Sequence, residues 1–225
     1  MKPEKIILFR HGESEGNVDR NVYNEKPDYA LNLTEQGLSQ AKVAGEQLVK
    51  LIGSNKSEEV FFYVSPLFRT RQTFEQIAKS FDGKVNYREE PRLREQEWGH
   101  LKSTDDCKAI DIARDSYGPF YYRIPDGESA ADVYDRISDF MSTLYRDFDK
   151  VDYPKNTVLV LHGMSLRLFL MRWFHWTVEE FEKLENPENC KMVVLSLNKQ
   201  TNKYELNSLL KTKNPIHNFQ SPIKI

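Results

Sequence analysis

The sequence predicts an α/β domain, and three observations carry that prediction. The apolar runs 6–9, 60–64 and 157–161 have strand length and no alternation, which suits strands buried on both faces. Stretches with apolar residues at helical spacing lie between them. Each run also ends, on its carboxyl side, in small, polar or charged residues, the place where open α/β sheets hold their ligands. A chain of 225 residues is long enough for one such domain with a sizeable core.

The first run continues into Arg10-His11-Gly12-Glu13-Ser14-Glu15-Gly16-Asn17. A cationic side chain, an imidazole and turn residues with exposed N–H groups suit an anionic phosphate. The alternative, less favoured, is a strand end with a solvated Arg–His pair. Residues 19–32 are polar, contain Pro27 and read as loop. Thr34 is a plausible N-cap with Glu35 in the first turn, opening a helix whose buried stripe is Leu38, Ala41, Gly45, Leu48 and Ile52. The second run leads into Ser65-Pro66-Leu67-Phe68-Arg69-Thr70-Arg71-Gln72-Thr73 and a helix with Phe74, Ile77, Ala78 and Phe81 inward. Arg69 then sits beside a helix N-terminus, where a fixed guanidinium and free N–H groups converge on one anion. Out of that context it would be a solvated charge, the reading given to Arg71.

Residues 85–88 form a short third strand, followed by Pro91-Arg92-Leu93-Arg94-Glu95-Gln96-Glu97-Trp98-Gly99. The long stretch 100–126 reads as irregular, with aromatic residues near its ends (Trp98, Tyr117, Phe120, Tyr121, Tyr122). Such excursions are usually lids or binding loops, the alternative being a small satellite core. Ser129 and Asp132 approximate a capping box before a helix with Val133, Ile137, Phe140, Leu144 and Phe148 inward. The last buried run ends at His162-Gly163-Met164-Ser165 and turns into a helix over 166–174. Residues 192–197 and 204–209 read as a terminal strand pair. The expected organisation is one domain over 1–210, with 96–126 as lid or substrate loop, and a tail over 211–225.

Four patterns occur in order along the chain: Arg10-His11-Gly12-Glu13 with Asn17; Ser65, Arg69, Gln72 and Thr73; Leu93-Arg94-Glu95; and His162-Gly163. Together they resemble the histidine phosphatase, or phosphoglycerate-mutase-like, superfamily over nearly the whole chain. The stretch from Tyr117 to Arg123 leading into Pro125-Asp126-Gly127-Glu128-Ser129 is similar to its fungal and plant phosphatases. The resemblance implies a three-layer α/β/α sandwich with a mostly parallel central sheet. It implies a phosphomonoester phosphatase with His11 as nucleophile, a phosphohistidine intermediate and Glu95 as proton donor, Glu97 being the competing carboxylate. Arg10, Arg69 and a protonated His162 complete the expected catalytic set. The expected substrate contacts are Arg10, Ser14, Asn17, Arg69, Glu128, His162 and Gly163. Activity is expected to fall at high pH as the donor loses its proton. A phosphoglycerate mutase is the alternative enzyme. Such an enzyme needs a second anion site, and Lys102, Lys108, Arg114 and Arg123 are offset here by Asp105, Asp106, Asp111 and Asp115. A phosphate-sensing module without turnover is the non-enzymatic alternative.

Charge is high but balanced, with 32 Lys and Arg against 34 Asp and Glu, which argues against a nucleic-acid partner. The expected partner is a small phosphate ester, with a phosphoprotein as a larger version of it, and the expected state is monomer or homodimer. Cys107 and Cys190 are far apart and read as reduced thiols. Metal-ligand spacings are missing, so neither metal nor cofactor is expected. Residues 1–9 do not read as a signal peptide, and 166–176 is interrupted by Arg167, Arg172 and His175, so no membrane insertion is expected. The cytoplasm is the expected compartment, the nucleus the other one.

Overall fold

A computed structural model describes residues 2–99 and 104–213. His100, Lys102, His217 and the tail beyond 213 lie outside the described residues.

One six-stranded sheet organises the molecule. Its strands are β1 (Lys5–Arg10), β2 (Val60–Val64), β3 (Asn86–Glu89), β4 (Asn156–Leu161), β5 (Met192–Asn198) and β6 (Lys203–Leu206), in the order β3-β2-β4-β1-β5-β6. The first four are parallel, with Ile7 beside Val158 and Phe62 beside both Val158 and Tyr87. β5 runs antiparallel to β1, with Val194 beside Ile7, and β6 antiparallel to β5. The expected mostly parallel sheet is therefore present.

The two faces of the sheet bury different residues of the same strands, as the alternation of side chains requires. Ile7, Phe9, Phe62, Val64, Val158 and Val160 pack against α2 (Glu35–Ile52) and α3 (Phe68–Ala78). Ile6, Leu8, Tyr63, Leu159 and Leu161 pack against α5 (Ala130–Phe148) and α6 (Gly163–Phe174). This is the three-layer sandwich. α2 starts where expected, with Thr34 Oγ1 accepting from the Gly37 N–H, and ends at Gly53 in the left-handed region. The Ser129–Asp132 capping box opens α5. α6 begins directly after β4 and is buried throughout 163–171, covered on its outer side by the short α7 (Val178–Glu182).

Three expectations need correction. Residues 19–32 are not featureless: a short α1 (Glu15–Val18) is followed by 3-10 turns at Arg20–Asn24 and Asp28–Ala30. The third strand sits one residue later than expected, as an exposed edge. Most of the stretch read as irregular is a helix, α4 (Thr104–Tyr117). Its inward positions, Cys107, Ile110, Asp111, Ala113 and Arg114, mix apolar and charged residues, while Ile112 is 72% exposed. No apolar stripe marks it. Among the described residues, no helix is long and apolar enough to cross a membrane.

Candidate active site

His11 follows β1, Ser65 follows β2 and His162 follows β4, at the carboxyl ends of three neighbouring strands. The His11 and His162 ring centroids lie 5.1 Å apart. His11 is only 4% exposed, and its Nδ1 lies 2.7 Å from the Gly12 carbonyl oxygen. A carbonyl only accepts, so Nδ1 carries the proton and Nε2 keeps its lone pair. Burial first, then the Arg69 and Arg10 charges, push His11 well below the ordinary imidazole range, outweighing the Gly12 carbonyl. His11 is thus a neutral imidazole with Nε2 unprotonated.

The loop after His11 is held from several sides. Gly12 N–H donates to Thr73 Oγ1 at 3.0 Å, and Glu13 N–H to Gln40 Oε1 at 2.9 Å. Gly37 lets α2 approach closely, since a Cβ there would overlap the Glu13 carbonyl oxygen. Asn189 Nδ2 donates to the His11 carbonyl and to Asn17 Oδ1, both at 3.1 Å. Ser14 N–H also donates to Asn17 Oδ1, at 3.1 Å, which orients that amide and leaves Asn17 Nδ2 to donate elsewhere. The expected Ser14 contact with substrate is not supported. Ser14 is buried, and its hydroxyl turns to Asn17 to close the start of α1.

Arg10 Nη1 donates to the Pro187 carbonyl at 2.6 Å. Arg69, 4% exposed, is held end-on by Asp28: Nη1 and Nη2 meet the two carboxylate oxygens at 3.0 and 3.1 Å, and Nη1 also donates to the Asp28 carbonyl at 2.7 Å. The edge formed by Nε and the second Nη2 hydrogen remains for a ligand. Arg71 pairs with Glu89 at 2.8 Å on the surface, as expected.

His162 Nε2 lies 2.8 Å from the Ser65 hydroxyl, while Nδ1 is buried without a partner. Burial first, then the Arg69 charge and the neighbouring His11, hold His162 well below the ordinary imidazole range. The expected protonated His162 is therefore corrected for the unliganded protein: the ring is neutral, because Arg69, Arg136 and Arg10 already occupy the neighbourhood of a fully buried imidazole. Gly163 opens α6, and a Cβ there would lie 2.7 Å from the Asn186 side chain. Its N–H belongs to the unpaired first turn of the helix.

Glu95 Oε1 accepts from its neighbour's N–H (Gln96, 3.0 Å), and Oε2 accepts from Met164 N–H at 3.2 Å. The carboxylate therefore sits at the N-terminus of α6, next to His162. Glu97 is exposed and contributes its backbone to a different contact, so Glu95 is the carboxylate brought to the histidines. Glu128 is not offered to a ligand. Its Oε1 accepts from Arg94 Nη2 at 2.6 Å and Arg136 Nε at 3.1 Å; its Oε2 accepts from Arg136 Nη2 and Glu97 N–H, each at 3.0 Å. Burial opposes its ionisation, but Arg136, the Glu97 N–H and Arg94 together hold Glu128 below the usual carboxylate range. In the insertion Lys108 pairs with Asp105 as the sequence suggested, whereas Asp111 pairs with Arg20, Arg123 with Asp132, and Arg114 lies over the Trp98 ring.

Sequence reasoning missed Asp28, Arg136 and Asn189. Asp28 and Asn189 come from segments with no motif and Arg136 from a helix read only for its cap and apolar face; only the chain's folding back places each beside the site. Among the described residues, no cluster of three or more His, Cys, Asp or Glu side chains is arranged to hold a metal ion. Cys107 and Cys190 are both free and buried.

Comparison with known proteins gives the family and the fold. The family model for the histidine phosphatase superfamily (branch 1) matches residues 6–208. The Arabidopsis thaliana phosphoglycerate mutase-like protein AT74 is 46% identical, over 88% of this chain and 66% of its own length, so the chain spans about two thirds of that relative. The broad-range acid phosphatase DET1 of Saccharomyces cerevisiae is 30% identical over 93% of this chain and 90% of its own. Among solved structures, one named mycobacterial hydrolase 1 superposes with a TM-score of 0.73 at 21% identity, over 93% of this chain and 99% of that one, a likeness of fold. A mycobacterial glucosyl-3-phosphoglycerate phosphatase with VO3 gives 0.69 at 22% identity, over 92% and 99%. With its paired strand-end histidines and the family match running almost end to end, the chain belongs to the histidine phosphatase superfamily, branch 1.

Proposed function

We propose that the protein hydrolyses phosphate monoesters through a phosphohistidine at His11 Nε2. One observation carries this reading: a buried imidazole lies near two arginines, with its Nδ1 proton committed to the Gly12 carbonyl. Nε2 is then a nucleophile that needs no base to strip it, and the arginine charges that keep it neutral also attract the substrate dianion.

The ester enters with its phosphoryl group against Arg69's free edge, Arg10 and the first-turn N–H groups of α6. A bound phosphate only accepts, so it selects the His162 tautomer with a proton on Nδ1, the Ser65 hydroxyl then donating to Nε2. His11 Nε2 forms the P–N bond as the P–O ester bond breaks, and protonated Glu95 passes its proton to the leaving alkoxide. A water then attacks phosphorus, Glu95 takes that water's proton, and the P–N bond breaks to return neutral His11. Fixed donors around the three equatorial oxygens stabilise both displacements. The DET1 relative, named a broad-range acid phosphatase, supports hydrolysis as the outcome, and neutral His11 suits acid conditions.

The test is rapid quenching with a labelled ester. Acid-labile, alkali-stable label on the wild-type protein, absent from His11→Ala, supports the reading. Release of phosphate without a labelled intermediate would sink it, and isomerisation of a phosphoglycerate with little release would identify a mutase instead.

A further inference from the structure

Glu95 stands in a segment that the sheet does not fix. It follows the 3-10 turn Pro91–Leu93, and 94–99 carries no regular structure. Backbone carbonyls in such a segment need partners from elsewhere. Here they come largely from one side chain. Arg136, on α5 and 10% exposed, donates through Nη1 to the Arg92 carbonyl at 2.6 Å and the Arg94 carbonyl at 2.8 Å, and through Nη2 to the Glu95 carbonyl at 3.0 Å. Its Nε and remaining Nη2 hydrogen go to the two oxygens of Glu128 at 3.1 and 3.0 Å. All five guanidinium donors are thereby used, which only the planar fork of arginine allows.

Glu128 closes the other side. Besides Arg136 and Arg94, its carboxylate accepts from Glu97 N–H. Its backbone N–H donates to the Glu97 carbonyl at 3.0 Å, and its carbonyl accepts from Gln96 Nε2 at 2.8 Å. Gly127 permits this approach, since a Cβ there would overlap the Glu97 carbonyl oxygen. The chain is therefore gripped at 92, 94 and 95 on one side of the Glu95 side chain and at 96 and 97 on the other. The carboxylate itself has two N–H partners, from Gln96 and Met164.

We propose that Glu128 and Arg136 are the positioning residues of the proton donor: they clamp the backbone of 92–97 so that the Glu95 carboxylate meets the leaving oxygen. The inference rests on the reading of Glu95 as the acid. A displacement of about 1 Å in a reacting group can cost about 10²-fold in rate. The charge of Glu128 matters to the clamp: truncating it leaves the largely buried Arg136 without its carboxylate.

A misplaced acid has a signature that general damage lacks. Alkyl phosphates need the leaving oxygen protonated, whereas dinitrophenyl phosphate, with a weakly basic leaving group, does not. The measurement is kcat/KM, which stops at phosphoryl transfer to His11, for alkyl, phenyl, nitrophenyl and dinitrophenyl phosphates. The proteins are wild type, Glu95→Gln, Glu128→Gln and Arg136→Lys. Glu95→Gln is expected to lose about 10²- to 10⁴-fold on the alkyl ester and little on dinitrophenyl phosphate. Glu128→Gln, close in shape to the native residue, and Arg136→Lys, which keeps the charge but not the fork, are each expected to lose about 10- to 100-fold on the alkyl ester. Their rates with dinitrophenyl phosphate should stay near wild type. An equal loss across the series, or no loss, in both clamp variants overturns the positioning role while leaving Glu95 in place. An equal loss in Glu95→Gln itself overturns the acid assignment, and the clamp inference with it.

Discussion

At the scale of single residues, the site works by committing hydrogens. Gly12 takes the His11 Nδ1 proton, and Asp28 takes the end of the Arg69 fork. The first commitment predicts a pH profile. Because burial and two arginines depress His11, the acid limb of kcat/KM should lie well below pH ~6.5, the ordinary histidine value. A limb centred near that value would contradict the environment described. The second commitment predicts that Asp28→Asn weakens competitive inhibition by inorganic phosphate about tenfold, the worth of one charge-assisted contact to a fixed arginine. Tighter inhibition in that variant would mean that Asp28 competes with phosphate instead of orienting Arg69. His11, Arg69 and His162 were legible in the sequence because each follows a buried strand or opens the helix after it, whereas Glu95 was marked only by the Leu93-Arg94-Glu95 resemblance. Asp28 was not, since a lone aspartate in a polar loop carries no period and no spacing. The charge state of His162 was not legible either: it depends on how many cations share one buried volume, which a linear pattern does not state.

At the scale of elements, caps were the most legible feature. Thr34 and the Ser129–Asp132 box open α2 and α5 as their residue types require. Ser129→Ala should destabilise the protein by about 1 kcal/mol in urea unfolding. It should also lower turnover on alkyl esters, because α5 carries Arg136 only six residues after its start at Ala130. Unchanged stability would show that the box is redundant with tertiary packing. α4 was the least legible element. A helix is read from its apolar stripe, and this one turns Asp111 and Arg114 toward the body of the protein while exposing Ile112. Those inward charges meet Arg20 and the Trp98 ring, partners that exist only after folding.

At the scale of the whole molecule, the sheet order sets both stability and history. His11 and His162 are held neutral and buried, so each binds a proton more readily when unfolded. The unfolded state therefore takes up more protons as pH falls from ~6.5 toward the depressed native values, and stability is lost across that window. The urea midpoint should drop between pH 7.5 and 5.5 by more in wild type than in His162→Asn; equal drops would place the acid sensitivity elsewhere. The central position of β1 has a further consequence, for synthesis. Its two neighbours are β4 and β5, which begin at Asn156 and Met192, so this early strand waits longest for a partner. A ribosome that has finished the first 150 residues holds an apolar strand with both edges open, a segment that other chains can recruit. Long-range closure of this kind is slow. The cell must shelter Ile6, Ile7, Leu8 and Phe9 until β4 is made, and a message truncated before β4 would yield an aggregation-prone fragment without His162.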